Sequence, residues 1–289
     1  MSTLEDPAAA RSWRLRRAAA PVPRSHDTLP ARSDARGKGR AARRTLMWIG
    51  PIVAFFVVWQ LAAESGVIDA SLLSPPTDVG PALWDITSSG QVFSDLGSSL
   101  ARAGIGFAIA SVAGVVIGLG IGWVPTLRGF VSPLAEVFRQ LPPLALLPAF
   151  VLLLGLGMRS QVAMVIWAVI WPVLLSTVAG AATVDPRLIK AARSMGAGGW
   201  RLYAKVAFPG ALPSIVTGLR LGASYALLVL VSAEMIGASS GIGYRIMEAS
   251  NTYHIPTMYA YIVVLAAVGV ALNYALLGIV RLAFPWMAR

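Results

Sequence analysis

Two charges interrupt one apolar stretch of this chain: residues 214–238 carry only Arg220 and Glu234. They stand 14 residues apart, about 21 Å along a helix and about 40° short of whole turns, so both project to nearly the same side. A charge at membrane depth costs about 2.5–3.5 kcal/mol on insertion scales, so such a helix turns its charges to the bundle or to a water cavity. Arg220 also has the length to snorkel to an interface. For Glu234, at the far end of the stretch, the alternatives are an interfacial acid and a residue lining a path or gate. Arg139 follows Glu136 by three residues, just ahead of Pro142, Pro143 and Pro148. Proline removes a donor and clashes with the preceding turn. The segment therefore reads either as an interfacial helix, 132–140, followed by a span, or as a kink lining a solute path. Arg139, Arg220 and Glu234 are the candidate path residues.

Little else in the chain offers chemistry. There is no Cys, and His26 and His254 are the only histidines. That excludes a disulfide framework, a thiolate metal site and a Cys nucleophile. No paired carboxylates, histidine cluster or activated nucleophile is evident, so no catalytic residue, metal or cofactor is expected. None of the three lysines, Lys38, Lys190 and Lys205, sits in a phosphate-binding loop. Gly118, Gly120 and Gly122 imitate a dinucleotide loop, but no strand precedes them. Ala110, Gly114, Gly118 and Gly122 instead recur every four residues, a stripe that lets two helix backbones approach closely.

The polar segment 185–213 has a defined pattern. Asp185 suits an N-cap, Pro186 the first helical position and Gly196 the residue after the helix. This predicts a helix over 186–195. With Arg187 at 0°, Leu188, Ala191, Ala192 and Met195 fall at about 100°, 40°, 140° and 80°, and Lys190 and Arg193 at about 300° and 240°. One side is shallow and apolar, the other basic. Such a helix either docks into a partner's groove or lies on a membrane surface. A second segment, 200–208, is expected to end before Pro209.

The elements that must carry these residues follow from composition. Of 289 residues, 56% are hydrophobic and 13% charged, about half the charge of an average soluble domain. Six stretches, 46–63, 103–127, 140–158, 160–184, 214–238 and 257–280, approach or exceed the roughly 20 residues that cross a bilayer as helix. The fold class expected is all-α: a polytopic membrane protein with six transmembrane helices. Residues 1–45 hold eleven Lys and Arg against four acids and are otherwise rich in Ala, Pro, Ser and Gly, which reads as a disordered basic tail. Beside membrane spans, such a run signals topology or anionic lipid rather than nucleic acid. Loop 64–99 has five acids and no Lys or Arg, whereas 185–213 has five Lys and Arg against Asp185. The first belongs outside and the second inside, with both termini cytoplasmic.

Lys190-Ala191-Ala192, then Gly196, then Val206 and Phe208-Pro209, resembles the EAA loop of permease subunits of binding-protein-dependent ABC importers. The family pattern is E-A-A-x3-G-x9-I-x-L-P. Ala191, Ala192, Gly196 and Pro209 match it, Val206 and Phe208 are apolar replacements, and Lys190 stands where the family has Glu. The segments 139–148, 155–157 and 233–237 are similar to the branch serving aliphatic sulfonates, taurine and nitrate. The resemblance covers about 46–281. It implies a permease domain over 46–289, with 185–213 as its ATPase-coupling loop, in the cytoplasmic membrane of a bacterium. It further implies a second permease copy, two ATP-binding subunits that hydrolyse the ATP this chain does not, and an extracytoplasmic substrate-binding protein. An ion-coupled secondary transporter is the alternative function, although no internal repeat is apparent.

Overall fold

The computed structural model describes residues 35–66, 69 and 72–284. Residues 1–34, most of the expected tail, lie outside the described residues. Contacts divide the chain into two units, Met1–Phe55 and Phe56–Arg289. A helix, α1 (Ala35–Glu64), begins in the first and ends in the second. Residues 35–45, grouped with the tail on composition, are thus helical; Ala and Arg are strong helix formers whatever the net charge.

The order continues α2 (Pro76–Ser88), α3 (Gln91–Trp123), α4 (Pro125–Arg139), a 3₁₀ turn (Pro143–Leu146), α5 (Leu147–Leu154) and α6 (Met158–Ala182). Then come α7 (Pro186–Ser194), α8 (Gly199–Leu202), a π turn (Tyr203–Ala207), α9 (Phe208–Gly237), α10 (Ile242–Asn251) and α11 (Ile255–Ala283). The described residues form an all-α fold, as expected. Gln91–Trp123, Met158–Ala182, Tyr203–Gly237 and Ile255–Leu282 are each long and apolar enough to cross a membrane. Pro125–Arg139 and Pro143–Leu154 add a fifth crossing if the pair, bent by 84°, is one broken span. In α1 the apolar helix Ile49–Glu64 is shorter.

Three boundaries depart from expectation, each for a local reason. The run 140–158 is not one helix, because Pro142, Pro143 and Pro148 split it into a 3₁₀ turn and the eight residues of α5. Helix α3 starts at Gln91 rather than after Arg102, because the charge of Arg102 is satisfied inside the bundle, as described below. Pro209 does not end its helix. The π turn before it passes directly into α9, widening the turn where proline offers no N–H.

The bundle is built on close backbone approach. A β-carbon on Gly114 would lie 2.9 Å from Val173 Cγ1, one on Gly118 2.8 Å from Thr177 Cβ, and one on Gly122 2.6 Å from Ala181 Cβ. The stripe on α3 therefore packs on α6, with Ala110 fully buried. Gly218 and Gly222 bring α9 similarly close to α6, against Ser176 and Val169, with Val173 wedged between α3 and α9. Helix α6 is the centre of the bundle, and α4 and α5 climb along it: Ala135 packs with Leu174 and Val178, and Leu147 with Met164 and Ala168.

Candidate functional site

Helix α7 forms as its ends dictate. The Asp185 carboxylate accepts from the Arg187 N–H at 2.8 Å, and Pro186 occupies the first turn. At the other end the Gly196 N–H donates to Arg193 O at 2.9 Å and the Ala197 N–H to Ala192 O at 3.0 Å. That pairing is a Schellman closure, and it needs Gly196 at φ +79°. The predicted apolar side is split between the interior of the chain and its surface. Ala192 is buried within the chain, whereas Leu188 and Met195 are 57% and 81% exposed and Ala191 lies exposed between them. Lys190 and Pro209 are exposed and Val206 is half-buried in the π turn. The surface that α7 presents is thus Leu188, Ala191 and Met195, flanked by Arg187 and Lys190.

The second locus is the break after α4. Arg139 donates to the Glu136 carboxylate one turn earlier and lines a cavity of about 250 Å³ with Gln140, Trp167, Trp171, Pro172 and Tyr225. Phe138 stacks on Trp171 at 5.3 Å and meets the edge of Trp167 at 5.9 Å, which pins the end of α4 to α6. Trp167 and Trp171 are the tenth and fourteenth of the 25 residues of α6, so Arg139 stands halfway along the bundle. The break after α4 thus lines a cavity beside the middle of α6. Arg220 faces a different cavity, about 420 Å³, beside Ser224, Gly269 and Asn273.

Glu234 is placed unlike both. Its side chain is fully enclosed and paired with Arg102 at 2.7 Å, so in this structure it faces neither a path nor an interface. Ser99 Oγ donates to the same carboxylate at 2.8 Å and the Gly243 N–H at 3.1 Å. Arg102 also donates to Ser240 O and Ser240 Oγ, each at 2.7 Å. Beside this pair, buried Asp95 accepts from Arg245 at 3.0 Å, Tyr261 Oη at 3.1 Å and the Gly241 N–H at 3.3 Å. The cluster ties α3, α9, α10 and α11 together. Gly241, at φ +114°, passes so close that a β-carbon there would lie 2.6 Å from Glu234 Cδ. Arg220 and Glu234 share a helical side, but α10 and the 238–241 turn cover only the level of Glu234.

Sequence reasoning placed Asp95 in a loop and treated Arg102 as a span boundary. The available signal was spacing: Asp95, Ser99 and Arg102 stand at i, i+4 and i+7, one face of a helix. The partner segment around Gly241 offered no such clue.

Comparison with known proteins assigns the whole. The family described as binding-protein-dependent transport system inner membrane component matches residues 87–289. The taurine transport system permease protein TauC of Escherichia coli is 34% identical over 251 residues, 85% of this chain and 91% of its own length. The nitrate import permease protein NrtB of a Synechocystis strain is 29% identical, over 77% of this chain and 83% of its own. An inward-facing structure of the MetNI methionine ABC transporter matches with a TM-score of 0.55 at 22% identity, covering 70% of this chain and 97% of that one; it shares the fold. With its EAA-like loop on α7, its stripe-packed bundle and these relatives, the chain belongs to the binding-protein-dependent transport system inner membrane components, the permeases of ABC importers.

Proposed function

We propose that this permease forms, with a second copy of itself, the path for a small sulfonate, taurine or nitrate-like solute, and that α7 couples it to two ATP-binding subunits. The observation that carries the coupling role is the construction of α7. Both ends are closed by hydrogen bonds, and its exposed apolar residues are short or flexible, which suits a rigid knob seated in a partner's groove. The EAA-like pattern Lys190, Ala191, Ala192, Gly196, Val206 and Pro209 spans this helix and the π turn leading into α9. Movement of α7 thus reaches α9, which carries Arg220 and Tyr225 on two cavities. Arg139 and Arg220 border the path, and Glu234 acts on it by fixing the position of α9.

The charge asymmetry supports a cytoplasmic α7 and cytoplasmic termini, with the 64–99 side meeting an extracytoplasmic substrate-binding protein. The relatives' substrates support the solute class. The test is capture of the ATP-binding subunits by tagged permease. Ala191→Glu, at an exposed position, should abolish capture while the chain inserts normally. Undiminished capture and uptake would return α7 to a membrane-surface role.

A further inference from the structure

Glycines alternate along the end of α3 at 118, 120 and 122, and Gly120 takes no part in the packing on α6. A β-carbon on Gly118 or Gly122 would collide with α6, whereas one on Gly120 would meet nothing within 4 Å. Glycine weakens a helix interior, so its presence on open backbone needs another reason. Gly120 lines a groove of about 730 Å³, within the roughly 300–1,000 Å³ of ligand sites. One wall is the end of α3, with Val116, Leu119 and Trp123; the other is the segment leading into α9, with Tyr203 and Phe208. Gly199, on the second wall, is as open as Gly120. The two glycines leave the groove unfilled.

Depth and charge identify the occupant. Trp123 ends the apolar span Gln91–Trp123, and Tyr203 begins the span Tyr203–Gly237. Their rings meet edge to face at 6.0 Å, which sets the groove at the membrane–water boundary, where such rings collect. Arg201 and Lys205, each two positions from Tyr203, are exposed. The ion pairs among the described residues use Arg102, Arg139 and Arg245. Asp185, the one acid of 185–213, is engaged by the Arg187 N–H. The rim is therefore basic, with no counter-charge from its own loop. A soluble partner would have to push an apolar segment between two spans, whereas lipid already surrounds them there. Basic pockets between helices on the cytoplasmic side suit anionic headgroups. We infer that the groove between the end of α3 and the π turn binds an anionic phospholipid, an acyl chain lying along Val116, Leu119 and Phe208 over Gly120, and the phosphate on Arg201 and Lys205. The inference rests on the cytoplasmic placement of 185–213. Tyr203 and Ala204 belong to the π turn between α7 and α9, so the lipid touches the coupling route.

The experiment is lipid titration of the delipidated, detergent-purified complex with its ATP-binding subunits, followed by native mass spectrometry. Phosphatidylglycerol and phosphatidylcholine are the probes. At low salt the wild type should bind phosphatidylglycerol about thirtyfold more tightly, a factor of about five for each of the two cations. Arg201→Gln combined with Lys205→Gln should erase that preference and keep weak binding of both lipids. Gly120→Leu fills the groove from open backbone, so it should lose the phosphatidylglycerol while the thermal midpoint and subunit composition stay as in wild type. Gly97→Leu, on equally open backbone toward the other end of α3, should bind lipid as wild type does. A wild type without the preference, a preference that survives the double substitution, or phosphatidylglycerol binding unchanged by Gly120→Leu overturns the site. Loss of an ATP-binding subunit or of the second permease copy on Gly120→Leu would give the groove to that protein and also overturn it. External labelling of a cysteine at 198 would instead overturn the cytoplasmic placement on which the headgroup assignment rests.

Discussion

Replacing Glu234 by Gln keeps the shape of the side chain and removes its charge. The structure places this carboxylate at 0% exposure against an Arg102 side chain at 13%. The amide would retain one acceptor for Ser99 or Gly243 but turn an N–H₂ toward a guanidinium, donor against donor. Arg102 would keep its two bonds to Ser240 and lose its counter-charge. Breaking one side of a buried pair typically costs about 3–5 kcal/mol, and the bonds kept to Ser240 put this case at the low end. At about 2–4 °C per kcal/mol for a domain of this order, the midpoint should fall by about 6–12 °C. Thermal unfolding of the purified permease in detergent, followed by tryptophan fluorescence, measures it. Arg102→Leu should cost a similar amount. The double variant Arg102→Leu with Glu234→Leu should cost less than the two single variants together, because it strands no charge. A Glu234→Gln protein that unfolds within about 1 °C of wild type yet no longer transports would refute the structural role and give Glu234 to the path itself.

Four further outcomes are expected. Gly118→Val should destabilise the bundle by about 1–3 kcal/mol of overpacking or more, since the new side chain meets Thr177 and the Leu174 carbonyl at 2.8 and 2.9 Å; reduced thermal stability checks it. Gly196→Val forces a β-branched residue into left-handed backbone, at about 1–2 kcal/mol or more, and should leave ATP-binding subunits partly captured while uptake is lost. On α10, hydrogen bonding from Arg245 is the main cause holding the Glu248 carboxyl below the usual range. Its contribution is therefore present above the unfolded value of about 4.3 and fades as pH falls through the lower folded value. The midpoint difference between wild type and Glu248→Gln should accordingly shrink on acidification below about pH 4. Single cysteines at 80 and 198 in this Cys-free chain should be labelled from outside by an impermeant thiol reagent at 80 only; the reverse pattern would invert the topology.

The sequence by itself determined what depends on near neighbours along the chain. Apolar runs without charges had to be helices, because lipid offers no partner for the backbone. Asp185, Pro186 and Gly196 set the ends of α7 within a residue, since caps are decided by atoms a few positions apart. The small-residue stripe on α3 identified a packing face, though not that α6 fills it. Tertiary structure decided what depends on residues far apart in the chain. Helical phase alone put Arg220 and Glu234 on one side, but α10 and the turn before it cover only one of them. Arg102 looked like the edge of a span because its counter-charge lies 132 positions away. The three prolines announced a break after α4, but only the packing of Phe138 against Trp167 and Trp171 sets Arg139 on a cavity beside the middle of α6. The helical wheel of α7 showed an apolar side, and packing within the chain buried Ala192 and left Leu188, Ala191 and Met195 exposed. Local hydrogen bonding is written in neighbouring residues; which face is covered, and which charge meets its partner, is settled when distant helices pack.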